Sequence, residues 1–173
     1  AELVKPGSAI ALMGGSTVFS MAKHLAKVSR LTIVTNSLPV ADYLHREGSK
    51  DQIVILTGGM RTPTDSLVGE FTIAALQKLN IDIAFIGTHG IDLQGGFSSP
   101  NIYEAETNRA VRARAKKFVV LADHTKVGRL GFSTFAKLAE ADTLITDSAI
   151  DELELKVLKA EIPEILVVKS ELN

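Results

Sequence analysis

Short apolar runs alternate with longer amphipathic stretches along the whole chain. Seven of these runs are brief, rich in β-branched residues and bounded by Gly, Asn or Asp, as buried strands are. They cover residues 8–13, 31–35, 52–57, 81–87, 118–123, 143–146 and 164–168. The pattern therefore predicts seven strands that other elements cover on both faces.

Five stretches between these runs space their apolar residues three and four positions apart, as an amphipathic helix does. They cover residues 17–28, 39–47, 68–79, 103–116 and 151–160. This spacing puts Val18 and Leu25 on the inner face of the first helix, and Phe71 and Leu79 on that of the third. The alternation predicts one α/β domain over residues 1–173, with a mainly parallel sheet flanked by helices in a Rossmann-like arrangement.

Composition narrows the class of protein. The chain has 173 residues, of which 46% are hydrophobic and 23% are charged, so it resembles an ordinary globular domain with its own core. Its 19 basic and 20 acidic residues give a net charge of -1, which argues against a free-standing nucleic-acid binder. The absence of cysteine excludes disulfides and fits the reducing cytoplasm, where we expect the protein.

Ligands of open parallel sheets bind beyond the carboxyl ends of the strands, so the loops that follow strands are the candidate sites. The first such loop contains Gly14 and Gly15, which allow a ligand to approach the backbone closely. Ser16 and Thr17 then open a helix, whose free N–H groups and dipole attract an anion. This loop indicates a phosphate site, and a plain tight turn with Ser16 as the N-cap is the alternative.

The next two strand-end loops are also polar. Asn36 and Ser37 offer hydrogen-bonding side chains for hydroxyl or phosphate oxygens, although a turn that caps the next helix is an equal alternative. Gly58 and Gly59 again permit close approach, and Arg61 can bind a phosphate with two parallel hydrogen bonds. A glycine turn beside a solvated arginine is the simpler alternative.

Two later loops add groups that can ionise. His89, Gly90 and Asp92 belong to a dense polar loop that can bind hydroxyls or act as acid and base, although a lone His beside an Asp is more often structural. Lys126 follows another strand and can supply a positive charge, and a surface lysine after a strand is the alternative. The four histidines show no metal-binding spacing, so no metal is expected. The five loops together indicate a small polyhydroxylated anion, namely a phosphorylated sugar or polyol.

Six segments occur in an order and at spacings that resemble one known family. They are GGST at 14–17, TNS at 35–37, GGMR at 58–61, GTHGID at 87–92, EAETNRA at 104–110 and VVLADHTKVG at 119–128. Together they resemble the sensor domain of the DeoR family of bacterial transcription repressors across nearly the whole chain.

This resemblance implies a fold similar to those of ribose-5-phosphate isomerase and glucosamine-6-phosphate deaminase, with a phosphosugar in the cleft. It implies phosphate contacts from residues 14–17 and places Asp92, Glu106 and Lys126 near the sugar. It also implies an amino-terminal winged helix-turn-helix, absent from this chain, that contacts operator DNA in the whole protein. The family resemblance further implies a homo-oligomer, either a dimer or a tetramer.

A sugar-phosphate isomerase or deaminase of the same fold is the alternative, because Asp92, Glu106 and Lys126 are able to act as acids or bases. The related isomerases carry a lysine followed by glycines near their catalytic carboxylate. The nearest run here is Gln94, Gly95 and Gly96, at residues 94–96, which has no lysine. We therefore expect a binding domain without a cofactor, and not an enzyme.

Overall fold

The computed structural model describes residues 1–169 and divides them into short strands and helices. The strands are β1 (Ala9–Leu12), β2 (Thr32–Thr35), β3 (Ile53–Leu56), β4 (Met60–Arg61), β5 (Leu67–Val68), β6 (Ile81–Gly87), β7 (Gly90–Asp92), β8 (Gly96–Ser99), β9 (Ala115–Leu121), β10 (Ser133–Ala136), β11 (Thr143–Asp147) and β12 (Ile165–Val168). The helices are α1 (Ser16–Leu25), α2 (Leu38–Glu47), α3 (Glu70–Gln77), α4 (Ile102–Arg112) and α5 (Glu152–Glu161).

Seven strands form one parallel sheet in the order β12-β11-β9-β6-β1-β2-β3. They are the seven strands that the sequence predicts, so the predicted fold class is confirmed. The chain runs outward from β1 to β2 and β3, and then returns to β6 on the other side of β1. The order of the strands therefore reverses between β1 and β6, and a crevice opens at such a point in parallel sheets.

The sheet is covered on both faces because each strand sends alternate side chains to opposite sides. In β1, Ile10 and Leu12 join the core beneath α1 and α2. Ala11, in the same strand, joins the core beneath α3, α4 and α5. Val18 and Leu25 of α1 are fully buried, as their spacing predicts.

The inner face predicted for the third helix is wrong for Phe71, whereas Leu79 packs against the core as predicted. Phe71 is 81% exposed, whereas Thr72 and Leu76 are fully buried. On the inward side of α3, the buried Thr72 hydroxyl donates to the carbonyl of Gly58 at 2.7 Å, so a polar residue takes part of the face that apolar spacing assigned to Phe71. Apolar spacing alone does not reveal such a contact.

The predicted end of the fourth helix is also wrong. The helix α4 ends at Arg112, and residues 115 and 116 already belong to β9. Ala115 pairs with Ile81 of β6, and the Arg114 guanidinium donates to the carbonyl of Leu79 at 2.7 Å. Parallel pairing therefore prevails over the helical spacing of these residues.

Five short strands lie outside the predicted set. They are β4 and β5, which form a hairpin, and β7, β8 and β10, which form a small antiparallel sheet. The hairpin follows β3 in the chain, and the small sheet begins after β6. Both therefore start from the carboxyl ends of strands in the main sheet. Among the described residues, no helix is long and apolar enough to span a bilayer.

Candidate ligand cleft at the strand-order reversal

A cleft of about 470 Å³ opens at the carboxyl ends of β1, β2, β6 and β9. It lies where the order of the strands reverses, as expected for an open parallel sheet. Its lining comprises Gly14, Gly15, Ser16, Thr17, Phe19, Asn36, Ser37, Pro39, Thr64, Ser66, Gly87, Thr88, His89, Ser99, Glu104, Asn108, Leu121, Ala122, Asp123 and Lys126.

The loop between β1 and α1 presents free backbone donors to this cleft. Gly15, and not Ser16, is the N-cap of α1, and no side chain of the described residues caps the helix. Gly15 has φ = 135°, a conformation that residues other than glycine rarely adopt. The N–H groups in the first turn are thus available to an anion.

Gly14 must be a glycine for a different reason. A Cβ at this position would lie 2.0 Å from Oγ of Ser66 and 3.0 Å from its Cβ. The backbone N–H of Gly14 donates to Oδ1 of Asn36 at 2.8 Å. The loop is therefore held between the Asn36 amide and the β4–β5 hairpin, which contains Ser66 in its connecting turn.

Asn36 and Ser37 line the cleft, but their polar atoms also support the backbone. The Asn36 amide nitrogen donates to the carbonyl of Leu67 at 2.9 Å while its oxygen accepts from Gly14. The Ser37 hydroxyl accepts from the N–H of Val40 at 3.4 Å and caps α2. Both residues are almost fully buried, so they shape the cleft as scaffold residues.

The wall beyond β9 carries a lysine. Lys126 lies in a short helical turn at His124–Lys126, and its Nζ is 3.9 Å from Oδ2 of Asp123. Burial raises the pKa of Asp123, but hydrogen bonds from the Thr125 hydroxyl and N–H and the charge of Lys126 leave it below its usual value. Asp123 is therefore a carboxylate at neutral pH and lies beside the lysine.

Asp147 anchors this turn from behind the cleft. Its carboxylate accepts from the backbone N–H of His124 at 2.8 Å, and Nδ1 of the His124 ring lies 2.9 Å from Oδ1. Burial raises the pKa of Asp147, but these hydrogen bonds and one from the N–H of Ala149 bring it below its usual value. The turn that carries Lys126 is thus fixed by charge-assisted bonds.

Hydrogen-bond acceptors occupy another part of the cleft. The carboxylate of Glu104 accepts from the hydroxyls of Thr64 at 3.1 Å and Ser99 at 2.9 Å. Glu104 and Asn108 are four residues apart on α4 and therefore share one face of the helix. The first turn of α4 thus faces the cleft with Glu104. The free lone pairs of Glu104 suit the hydroxyl groups of a ligand.

Eight of the fourteen predicted site residues come together in this cleft. They are Gly14, Gly15, Ser16, Thr17, Asn36, Ser37, His89 and Lys126. His89 has an exposed side chain, and its backbone N–H donates to the carbonyl of Ser98 at 3.1 Å. The cleft therefore unites the first, second, fourth and fifth strand-end loops.

The third strand-end loop lies elsewhere. Gly58, Gly59 and Arg61 do not line the cleft, because β3 is at the edge of the sheet, two strands away from the reversal. A Cβ on Gly59 would lie 2.3 Å from Oγ1 of Thr72, so this glycine serves packing against α3. Arg61 pairs with Asp65 in the hairpin at the protein surface.

Gly90, Asp92 and Glu106 also lie outside the lining. Oδ1 of Asp92 accepts from the N–H groups of Gln94 at 3.0 Å and Gly95 at 2.7 Å, so it caps the turn between β7 and β8. Gly90 is required for packing, since a Cβ there would lie 2.4 Å from the carbonyl oxygen of Arg129. Glu106 is two positions from Glu104 and hence on another face of α4.

Twelve lining residues were absent from the predicted set. They include Thr64 and Ser66 in the β4–β5 hairpin and Glu104 and Asn108 on α4. The hairpin was not predicted, because its strands contain only two residues each and show no strand pattern. Within residues 1–169, no three His, Asp or Glu side chains come together as a metal site requires.

Comparison with protein families and curated proteins gives consistent matches. Residues 1–148 match the family model described as DeoR C terminal sensor domain. The chain is 35% identical to the HTH-type transcriptional regulator GlpR of Haloferax volcanii over 87% of this chain and 58% of that protein. It is 34% identical to the lactose phosphotransferase system repressor of Streptococcus mutans over 92% of this chain and 63% of that protein. The chain thus spans roughly three-fifths of these relatives.

Solved structures of similar fold include sugar-phosphate enzymes. Ribose 5-phosphate isomerase A from Methanocaldococcus jannaschii aligns with a TM-score of 0.51 and 20% identity, over 73% of this chain and 49% of that chain. The eIF2B beta chain from Chaetomium thermophilum aligns with a TM-score of 0.52 and 13% identity, over 93% of this chain and 50% of that chain. At these identities the likeness concerns the fold alone, and it confirms the predicted isomerase-like fold.

Proposed function

This chain belongs to the family of DeoR C-terminal sensor domains, and from this premise we propose that its cleft binds a phosphorylated sugar or polyol as an effector. In the whole regulator, occupancy of the cleft would change the binding of operator DNA by residues outside this chain. The curated relatives are transcriptional regulators and repressors by name, and one is the repressor of a lactose phosphotransferase system.

The uncapped first turn of α1 is the observation that carries this proposal. Its N–H groups, at Ser16 and Thr17, face the cleft without a capping side chain. A phosphate there would accept hydrogen bonds from these groups and interact favourably with the helix dipole. Lys126 would supply a positive charge from another wall of the same cleft.

The rest of the cleft suits a polyhydroxylated body. Glu104 and Asn108 offer acceptors, and Thr64 and Ser99 hold the Glu104 carboxylate in place. A sugar hydroxyl can donate to such a carboxylate, whereas a second phosphate would be repelled by it. The cleft therefore combines N–H and lysine donors with carboxylate acceptors, which suits a ligand that carries both a phosphate and hydroxyl groups.

Calorimetric titration of the 173-residue chain tests the proposal. Each sugar phosphate of a panel is paired with its unphosphorylated sugar, and inorganic phosphate is added as a competitor. We expect at least one sugar phosphate to bind about 100-fold more tightly than its parent sugar, because the parent leaves the α1 donors and Lys126 without a charged partner. Equal affinity within every pair, or no binding across the panel, contradicts the proposal.

We further infer that the domain binds sugar phosphates without converting them. The relatives are named as regulators, and the lysine–glycine run of the isomerases is missing at residues 94–96. Aldose–ketose interconversion and ammonia release from glucosamine 6-phosphate are the activities to measure. Turnover that is lost in Glu104→Gln but kept in the control Glu106→Gln, outside the cleft, would instead identify an enzyme.

A further inference from the structure

One wall of the candidate cleft is apolar. Phe19 of α1 and Pro39 of α2 both line the cleft. Tyr43 connects them, because it follows Pro39 by four residues and so shares its face of α2. The rings of Tyr43 and Phe19 meet at an angle of 81° with their centroids 5.7 Å apart. Phe19 and Pro39 are therefore neighbours, and we call these two residues the apolar wall.

The apolar wall adjoins the first turn of α1, where we propose that the phosphate binds. Phe19 is three residues after Ser16, and its N–H donates to the carbonyl of Gly15 at 2.9 Å. Side chains of a helix lean toward its amino end, so Phe19 covers the turn that begins at Ser16. A ligand whose phosphate accepts from the N–H groups of this turn would have its next carbon atoms beside the apolar wall.

Contacts within the protein hold the Phe19 ring in place. Phe19 is half-buried and packs against the core beneath α1 and α2. Nζ of Lys23 lies 5.2 Å from the centroid of the Phe19 ring, within the range of a cation–π interaction. Together with the edge contact to Tyr43, these interactions form the apolar wall before any ligand arrives. A preformed surface binds at a lower entropic cost than one that the ligand must order.

The apolar wall restricts which groups a ligand can place against it. The side chains of Phe19 and Pro39 offer no hydrogen-bond donor or acceptor, and a proline also lacks the backbone N–H. A hydroxyl group pressed against them would lose water without gaining a partner. Acceptors come from Glu104 and Asn108 of α4, which covers the opposite face of the main sheet from α1 and α2. The cleft therefore suits a ligand with C–H groups on one side and hydroxyls on another.

We propose that the apolar wall makes the cleft selective for the closed ring of a sugar phosphate over the open-chain polyol phosphate, with Phe19 as the specificity-determining residue. This inference rests on the proposed function and narrows its ligand class. Closing a sugar ring gathers C–H groups on one face, whereas an open-chain polyol carries a hydroxyl on each carbon that is not phosphorylated. The ring also has fewer internal rotations to lose on binding. In the bound state its C–H face contacts Phe19, and its hydroxyls reach Glu104 and Asn108.

Calorimetric titration of the 173-residue chain with matched ligand pairs gives the first test. Each hexose or pentose phosphate is paired with the polyol phosphate that borohydride reduction makes from it, which keeps the phosphate and the carbon chain but cannot close a ring. We expect the sugar phosphate that binds best to bind about tenfold more tightly than its reduced form. Equal affinity, or tighter binding of the polyol phosphate, overturns the selectivity and leaves the proposed function standing. Absence of binding by both members of every pair rejects the proposed function, and this inference with it.

Variants of Phe19 give the second test, with the same ligand pairs. Phe19→Ala should weaken binding of the closed ring by about tenfold and that of the polyol phosphate by less than about twofold, so that the selectivity is lost. Phe19→Leu keeps an apolar side chain and should retain most of the selectivity. The matched control is Phe71→Ala, which removes a phenylalanine that is 81% exposed and outside the cleft, and it should change neither affinity. Equal weakening of both ligands by Phe19→Ala, or undiminished selectivity in that variant, shows that Phe19 has only a structural role and overturns the proposal.

Discussion

Replacing Gly14 with alanine perturbs the loop that would hold the phosphate. The new Cβ would lie 2.0 Å from Oγ of Ser66 and 3.0 Å from its Cβ, whereas ordinary contacts of a Cβ begin near 3.4 Å. Rotation of the Ser66 hydroxyl relieves the first contact but not the second. Ser66 is only 4% exposed, so neither side can move away without shifting the loop or the β4–β5 hairpin.

The magnitude follows from the cost of an extra methyl group in a packed site. We expect Gly14→Ala to lower the free energy of unfolding by about 1–3 kcal/mol, as overpacking does. A loop shift would also weaken the hydrogen bond from Gly14 to Asn36, because that bond depends on the position of the loop backbone. Binding of the sugar phosphate should fall by about tenfold or more, since the α1 donors would move with the loop.

A double-mutant cycle isolates this contact. Ser66→Gly removes both atoms that the added methyl group would strike, so Gly14→Ala/Ser66→Gly should recover stability with a coupling energy of about 1–2 kcal/mol. The matched control is Gly87→Ala in the same cleft, where the nearest heavy atom would lie at 3.6 Å. Urea denaturation measures each variant. Additive effects, or equal stability of Gly14→Ala and Gly87→Ala, would refute the role assigned to Ser66.

Two further predictions concern the wall that carries the lysine. Lys126→Ala should weaken sugar-phosphate binding by about 2 kcal/mol in calorimetry with little loss of stability. The control Lys159→Ala on α5 should leave the dissociation constant unchanged. An unchanged dissociation constant for Lys126→Ala would show that Lys126 is only a surface residue. Because the folded pKa of Asp147 is lowered, its contribution to stability is present at neutral pH and is lost as the pH falls from about 4 through the folded value. Asp147→Asn should therefore reduce the free energy of unfolding at pH 7 and lessen its decline in acid, and parallel pH profiles of the two proteins would contradict this.

The main sheet could be predicted because each of its strands is a short apolar run, although β3 and β12, at the two edges of the sheet, are only partly buried and not buried as predicted. The β4–β5 hairpin gave no comparable signal, since its strands contain two residues each. In β8, Gly96 and three following residues are all buried, but two serines among them remove the apolar pattern. The position of Phe71 was missed for another reason, because the buried face of α3 includes the polar residue Thr72, whose hydroxyl donates to the carbonyl of Gly58.

The candidate site could be predicted as far as the rule of strand ends applies. That rule identifies Gly14 and Lys126, because β1 and β9 end at the same cleft. It fails for Arg61, since the order of strands in the sheet cannot be read from their order in the chain. From the sequence, Glu104 and Glu106 are equally reasonable candidates for a ligand-binding carboxylate. Only the rotation of α4 decides that Glu104 faces the cleft.

The β4–β5 hairpin connects the candidate cleft with the part of the chain that follows the edge strand β3. Asn36 receives a hydrogen bond from Gly14 and donates one to Leu67 of β5, while Met60 of β4 pairs with Val68. A ligand that repositions the loop at Gly14 would therefore act on the strand pair that follows β3. If the hairpin has two positions, the ligand can favour one of them only by binding it more tightly than the other.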